Sequence, residues 1–411
     1  MVQREFVILD NNKLGFDTLS KVLFIHHSGI LGGAGISLIN VVKSVAENHE
    51  VYVGVSSDPD DIYNLLRQSS HENSNIKVFS YGRRIGAITY YSGGDNLFSP
   101  RFVYRCLLTI KQRKYWNNKI KEINPDVVIT NSKILCWMSG LTQIKKRKSI
   151  CFVRETVKGN RKSFLNNQIA KKLDKYKKVV YLSEYDRKLE NLKHAESSVV
   201  HNFISGDQFD TTLSKNDALN ILSLPNDKFY VLYVGGVSEM KGFDLIVQAV
   251  LQMDDDVHLI VAGNDFNQAK ITKDKSEIDY ADKWQSIIEK EDKKGKIHIL
   301  GRVKDMSDCY AACDVLAFPM RSPHQSRPAF EAGLFMKPVI ISDFKNISEF
   351  VRNDDNGIRV LPNDVTALTD AIGCLRNDEL REFLGKNNYL NTVENHSKDK
   401  SCEKIRMLIE E

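Results

Sequence analysis

The sequence predicts an α/β protein built from two Rossmann-like domains that face each other. Three observations carry this. A chain of 411 residues is long enough for two domains of ordinary size, each burying its own core. β-branched runs of strand length alternate with helical stretches throughout, as parallel α/β construction requires. The alternation occurs twice, each time with a glycine turn after the leading strand.

In the first half, residues 1–20 precede the first strand and read as an added segment. Val22–His26 is that strand, followed by the loop Gly29-Ile-Leu-Gly32-Gly33-Ala-Gly35 and a helix to about Glu47. Val51–Val55 and Ile76–Phe79 are the next strands. Tyr81–Pro100, with four glycines and little periodicity, reads as a mobile loop. An amphipathic helix from about Phe102 to Ile123 stops at Asn124-Pro125, because proline disfavours the helical conformation in the residue before it. The strands Val127–Thr130, Ile150–Arg154 and Val179–Leu182 complete the sheet.

The second half repeats the logic. Tyr230–Val234, His258–Ala262, Ile297–Leu300, Val315–Phe318 and Pro338–Ser342 read as strands. Helices are expected over Phe243–Leu251, roughly Tyr280–Lys290, and Met306–Ala312. The domains divide at 1–202 and 203–390, with 391–411 as a tail whose last part, Glu403–Glu411, is helical.

Composition narrows the class. Hydrophobic residues at 42% with 27% charged residues are those of a globular protein, and no run approaches 18 apolar residues, so a membrane span is not expected. The amino terminus lacks the regions of a signal peptide. Seven scattered cysteines without a C-x-x-C suggest neither a disulfide framework nor a zinc site, which suits a reducing cytoplasm. The net charge of +5 conceals an asymmetry: residues 1–200 hold 32 Lys/Arg against 18 Asp/Glu, or +14, and the rest 26 against 35, or −9. A solvated lysine-rich surface explains this as well as an anionic partner does. No nucleic-acid motif accompanies the charge, so the partner expected is an anionic membrane surface, such as the inner face of the cytoplasmic membrane, or an acceptor bearing a lipid phosphate. Tyr90-Tyr91, and Phe102-Val103, Leu107-Leu108 and Tyr115-Trp116 on the basic helix, suit either surface contact or ordinary packing.

Two segments carry chemistry. Residues 321–343 read as a loop, a helix with Glu331 in its first turn, and a buried strand. A carboxylate there sits at the carboxyl ends of parallel strands, where doubly wound sheets bind nucleotides. The loop before it turns backbone N–H groups and a helix dipole toward a phosphate. In residues 230–244, a strand runs into Gly235-Gly236, and Lys241 follows just before a helix. The glycines allow close backbone approach and the lysine reaches a diphosphate as a point charge; alone, the segment is equally a tight turn with an exposed lysine. Asp254-Asp255-Asp256 and Asp58-Pro59-Asp60 read as solvated turns, not metal sites.

In this order the motifs resemble those of the family 4 glycosyltransferases, over about residues 21–390. The resemblance implies the GT-B architecture, with a deep interdomain cleft, an acceptor-binding first domain and a second domain that binds a nucleotide sugar. Lys241 matches the diphosphate-binding lysine of the "VGR…EKG" segment, and Glu331 the second, ribose-holding glutamate of E-x7-E. Gly32-Gly33-Ala34 resembles the glycine loop, Val200–Phe203 the interdomain turn, and Gly301-Arg302-Val303 the turn that meets the base. The expected donor site is thus Gly33, Gly236, Lys241, Arg302, Val303, Ser326, Arg327, Pro328, Ala329 and Glu331, with Lys241, Glu331 and Glu155 in the reaction itself. Glu155, at the cleft edge, is placed to orient an acceptor hydroxyl. His26-His27 end the first strand beside the cleft, where a structural role is as good a reading as contact with sugar.

Three departures stand out. Pro323 occupies the slot of the first E-x7-E glutamate, Gly236 that of an arginine, and Val153-Arg154-Glu155 that of a histidine. Either Arg321, Arg327 or Arg154 then supplies the missing positive charge from another position, or Lys241 with backbone amides suffices. The resemblance implies transfer of a sugar from a UDP- or GDP-sugar, with retention of configuration and without a metal or other cofactor, to a glycan or lipid-linked glycan in surface polysaccharide synthesis. Lys241 and the N–H groups of Ser326–Ala329 would stabilise the departing diphosphate. A GT-B scaffold that binds a glycan or a partner enzyme without turnover is the rival reading, motivated by Pro323 and Gly236. A nucleotide-sugar epimerase of the same architecture is a third.

Overall fold

The computed structural model describes residues 19–57, 60–82, 100–156, 164–272, 274–323 and 325–411. The added segment up to residue 18, residues 83–99 of the expected mobile loop with Tyr90 and Tyr91, Asp58-Pro59 and His324 lie outside the described residues. Seven strands in the first half are β1 (Lys21–Ile25), β2 (Glu50–Val55), β3 (Ile76–Ser80), β4 (Val127–Thr130), β5 (Lys148–Val153), β6 (Lys178–Tyr181) and β7 (Glu196–Val199). Six follow: β8 (Phe229–Val234), β9 (Val257–Ala262), β10 (Ile297–Gly301), β11 (Val315–Phe318), β12 (Val339–Ser342) and β13 (Gly357–Val360). They form two separate parallel sheets, ordered β3-β2-β1-β4-β5-β6-β7 and β10-β9-β8-β11-β12-β13.

The central strands read as unbroken apolar runs because helices cover both faces of each sheet. Val22 to Ile25 and Tyr230 to Tyr233 are wholly buried. The two strands absent from the sequence reading, β7 and β13, are each outermost in their sheets. Glu196-Ser-Ser-Val is exposed or half-buried along its length and carries no apolar pattern.

Strand order fixes where a ligand can enter. In each sheet the winding reverses once, between β1 and β4 in the first and between β8 and β11 in the second. The loops at the carboxyl ends of such strands diverge and leave a crevice. The glycine loop after β1, residues 131–133 after β4, Gly235–Lys241 after β8 and residues 319–326 after β11 all lie at these two points.

The helix Arg327–Leu334 corrects one expectation: Glu331 is its fifth residue, in the second turn, not the first. Behind this helix lies Asp378–Asn395, at a contact only glycine permits. A Cβ on Gly333 would sit 2.1 Å from the Thr392 hydroxyl, and one on Gly385 2.0 Å from the Met336 carbonyl. The tail drawn from residue 391 therefore begins inside this helix. The chain then crosses back: the Ile204 amide donates to the His396 carbonyl at 3.0 Å. The last helix, Lys398–Glu410, packs on the helix Gly33–Val45. Cys402, Ile405, Leu408 and Ile409 join Val22, Phe24 and Val53 in one core. The first domain is thus completed by the last residues of the chain.

Candidate active site

The loop after β1 is the first wall. Gly35 is needed for packing, since a Cβ there would meet Ile62 at 2.5 Å, but Gly32 and Gly33 face open space. Their missing side chains leave room on the cavity side, not against the protein. His26 is buried, its Nδ1 3.2 Å from the Asn131 Nδ2, and burial holds its pKa well below the usual value, so the ring is neutral.

The second wall comes from β5. The Arg154 guanidinium donates from Nε to Asn131 Oδ1 at 2.9 Å and from Nη1 to Asn202 Oδ1 at 3.3 Å, over the Phe152 ring at 4.9 Å. Its Nη2 is buried and finds no partner among the described residues. The Glu155 carboxylate turns the other way, accepting from the Ser132 hydroxyl, the Lys133 amide at 3.1 Å and the Arg154 amide at 3.2 Å. Burial raises its pKa against these bonds.

The second domain supplies the opposite side. Gly236 adopts φ +64°, and a Cβ on it would lie 2.4 Å from the Asn264 nitrogen. Gly242, at φ +79°, passes under the Pro319 carbonyl. These approaches set the loop that presents Lys241, for which no carboxylate or hydrogen-bond partner is found among the described residues. Burial alone lowers its pKa. A desolvated ammonium without a counter-charge is costly to maintain and favours an anion beside it.

Glu331, 9% exposed, is gripped on both oxygens. Oε1 accepts from Arg327 Nε and Oε2 from the Tyr310 hydroxyl, both at 2.7 Å. The second lone pair of each oxygen is left for a ligand hydroxyl. Arg327 Nη1 is buried without a partner among the described residues. Arg321 is by contrast neutralised: Nη1 and Nη2 each bond one Asp244 oxygen at 2.6 Å. It is a clamp between the loops after β8 and β11, not a spare cation.

Two cavities meet here, of about 690 and 630 Å³, and Arg154, Glu155, Lys241 and Gln325 line both. The larger reaches past Gly235 and Pro323 toward Asn264 and Tyr280. The smaller holds Gly33, Arg327, Pro328 and Glu331, with His26 and His27. Lys241, Glu331, Glu155, Gly33, Arg327 and Pro328 thus line these joined cavities.

Other expected residues do not line either cavity. The Arg302 side chain is exposed and donates to Asn264 Oδ1 at 3.0 Å, while Val303 packs against the second domain's core. Gly236 contributes backbone shape only. Ala329 is wholly buried in the core and Ser326 almost so. The expected row of amide donors is also corrected. Arg327 N–H donates to the Gln325 carbonyl and Ala329 N–H to the Ser326 carbonyl, both at 3.0 Å, and Pro328 has no N–H. Guanidinium and ammonium groups must supply what those amides do not. The sequence reading missed Tyr310 and Asn131, which position Glu331 and Arg154 and which no local motif marks; Asn202 lies in the expected interdomain turn, and its bond to Arg154 is what that reading did not contain. Asp254 and Asp256 pair with Arg376, and Asp255 with Lys294, at the surface, as solvated turns do.

Comparison with known proteins agrees with this geometry. Residues 214–391 match the family described as glycosyl transferases group 1, which spans the second domain. The D-inositol 3-phosphate glycosyltransferase of Xylanimonas cellulosilytica is 26% identical over 160 residues, 39% of this chain and 37% of that protein. The capsular polysaccharide biosynthesis glycosyltransferase CapM of Staphylococcus aureus is 26% identical over 168 residues, 40% of this chain and 41% of its own. The chain thus spans about two fifths of the length of these curated relatives. Among solved structures, Anabaena HepE in complex with UDP superposes with TM-score 0.76 at 18% identity, covering 95% of this chain and 99% of that one. WaaG, a glycosyltransferase involved in lipopolysaccharide biosynthesis, superposes with TM-score 0.65 at 14% identity, covering 93% and 99%. The fold is GT-B.

Proposed function

We propose that this chain is a retaining glycosyltransferase that moves a sugar from a nucleotide-sugar donor to a glycan or lipid-linked glycan acceptor. One observation carries the reading: the Lys241 ammonium and the Arg327 edge, both without a partner among the described residues, and the Glu331 carboxylate line a single cavity at the strand ends where a GT-B protein holds its donor. As the sugar–phosphate bond breaks, charge collects on the diphosphate, and fixed cations in a water-poor cleft stabilise that state more than the intact donor. Lys241 and Arg327 take this role. Glu331, held by Arg327 and Tyr310, accepts from the ribose hydroxyls. Glu155, whose carboxylate is anchored from one side, orients the acceptor hydroxyl. The complexes of HepE with UDP and with UDP-glucose favour a uridine donor, and CapM favours a surface polysaccharide as the product.

The helix Pro100–Ile123 supports an acceptor at an anionic membrane. Val103, Leu107 and Ile110 are more than half exposed, at 54%, 60% and 67%, and Lys111, Arg113 and Lys114 follow them. A place at the cytoplasmic face of the membrane follows from that reading, and vesicles of anionic lipid should retain the protein where neutral vesicles do not.

Incubation with UDP-, GDP- and ADP-sugars tests the activity. Nucleotide release that depends on added acceptor and is lost in Lys241→Ala and Glu331→Ala supports transfer. Turnover without acceptor points to an epimerase. An absence of donor binding in the intact protein removes the proposal and leaves the scaffold reading, which Pro323 and Gly236 motivate.

A further inference from the structure

We propose that Arg154 of the first domain and Lys241 of the second form a cross-cleft clamp on one anion, so that capture of the diphosphate and closure of the domains are a single event. Arg154 is not a surface cation that happens to lie near the cleft. Two asparagine oxygens and the Phe152 ring fix its plane, and the one edge left over, Nη2, is buried. Arg321 and Arg327 meet carboxylates, whereas among the described residues no carboxylate oxygen accepts from the Arg154 guanidinium. Glu155 is adjacent, but its oxygens are engaged by Ser132 and two backbone amides. A buried guanidinium with an unmet donor is destabilising unless something accepts from it.

Both cavities that Arg154 lines are also lined by Lys241, which faces it from the other domain and has no partner among the described residues. Gly236 cannot carry an arginine, because its backbone lies against Gly263 and Asn264. The second cation has therefore moved to the opposite wall. That transfer changes the physics: two cations on one loop bind an anion whatever the domains do, while cations on opposing walls bind it fully only when the walls approach. The clamp rests on the donor reading in taking the anion to be a diphosphate.

Inorganic pyrophosphate is the probe, with uridine and UDP beside it, in calorimetry and hydrogen exchange on the intact chain. Pyrophosphate should bind the native protein, and Arg154→Met and Lys241→Met should each weaken it at least tenfold. The double variant should lose less than the two single losses added together, because the two cations act on one bridged anion. Arg154→Lys, which keeps charge without the fork, should recover part of the affinity. In the native protein the anion should slow exchange in the first-domain loops 28–35 and 131–133 as well as in 235–242. In Arg154→Met only the second-domain loop should respond. Equal pyrophosphate affinity in a folded Arg154→Met protein, or first-domain protection that survives the substitution, overturns the clamp while leaving the donor reading in place. Pyrophosphate binding that needs both cations, with no response to any nucleotide, keeps the clamp and removes the donor reading.

Discussion

At the scale of single residues, the site is defined by which groups lack partners and which have no room. Gly236 is the sharpest case. The resemblance implies an arginine at this position, yet φ is +64° and a Cβ would press on the Asn264 nitrogen at 2.4 Å. We expect Gly236→Arg to lower the melting temperature by several degrees, a strain of about 1–3 kcal/mol, without tightening nucleotide binding; a variant as stable as the parent with better affinity would contradict this. Tyr310 is the opposite case, a residue with no motif and a definite task. Tyr310→Phe removes the hydroxyl that Glu331 Oε2 accepts from at 2.7 Å. Hydrogen bonds to charged groups contribute about 1.5–3 kcal/mol, so UDP affinity measured by calorimetry should fall by about tenfold or more. The residues of the strand–helix segments pointed to Lys241 and Glu331 and the family resemblance added Glu155, Arg327 and Gly33, all of which line the two joined cavities. Sequence could not pick out Tyr310 or Asn131, whose roles depend on distant segments coming together. It also overvalued Ser326–Ala329: helical spacing suggested open amides, while the turn that starts the helix uses two of them internally.

At the scale of elements, every central strand was legible because a parallel strand buried on both faces must be apolar throughout. The edge strands β7 and β13 were not, since one side of each has no strand to cover it and polar residues suffice. Helix positions followed from strand spacing, but helix contacts did not. The helix bearing Glu331 is held from behind by Asp378–Asn395, where Asn388 Nδ2 donates to the carbonyls of Ala329 at 3.1 Å and Lys337 at 2.9 Å. Gly333 lets the two helices touch. Gly333→Ala adds only one methyl group, and alanine favours a helix by about 1 kcal/mol over glycine. With Thr392 Oγ1 at 2.1 Å and the Asn388 carbonyl at 2.9 Å from that methyl, overpacking wins, since it costs about 1–3 kcal/mol or more. Denaturant unfolding should show a net loss of stability, and donor affinity should fall with it because the Glu331 helix is displaced. A stabilised Gly333→Ala protein would show that the contact is looser than drawn.

At the scale of the molecule, the chain crosses between domains twice, at residues 200–206 and again at 396–397, so the last helix completes the first domain. Burying a large aliphatic side chain contributes about 1.5–3 kcal/mol, and Ile405, Leu408 and Ile409 are all buried. Truncation after Ser397 should therefore destabilise the first domain, seen as early proteolysis within residues 19–200 and not within 214–391. The second crossing also makes the pair sensitive to acid. His396 is 1% exposed, stacks on Phe330 at 3.5 Å, and lies 2.7 Å through Nδ1 from the Asn202 carbonyl. Burial lowers its pKa to about 3, so the folded protein keeps it neutral while the unfolded chain takes up a proton near pH 6.5. Protons then favour the unfolded chain between those values. Stability from this group is complete above about pH 6.5 and declines as pH falls, by up to about 1.4 kcal/mol per unit. His298, lowered to about 4 by burial, acts in the same direction. Asp186, raised to about 6 by burial, acts in the other: its protonated form suits the fold, so its contribution grows as pH falls through 6. His396→Gln keeps a side-chain donor for Asn202 and removes the titration. Between pH 6.5 and 5 the native protein should lose up to about 2 kcal/mol more than this variant. Parallel pH profiles for the two proteins would show that His396 does not govern the acid loosening of the interdomain crossing.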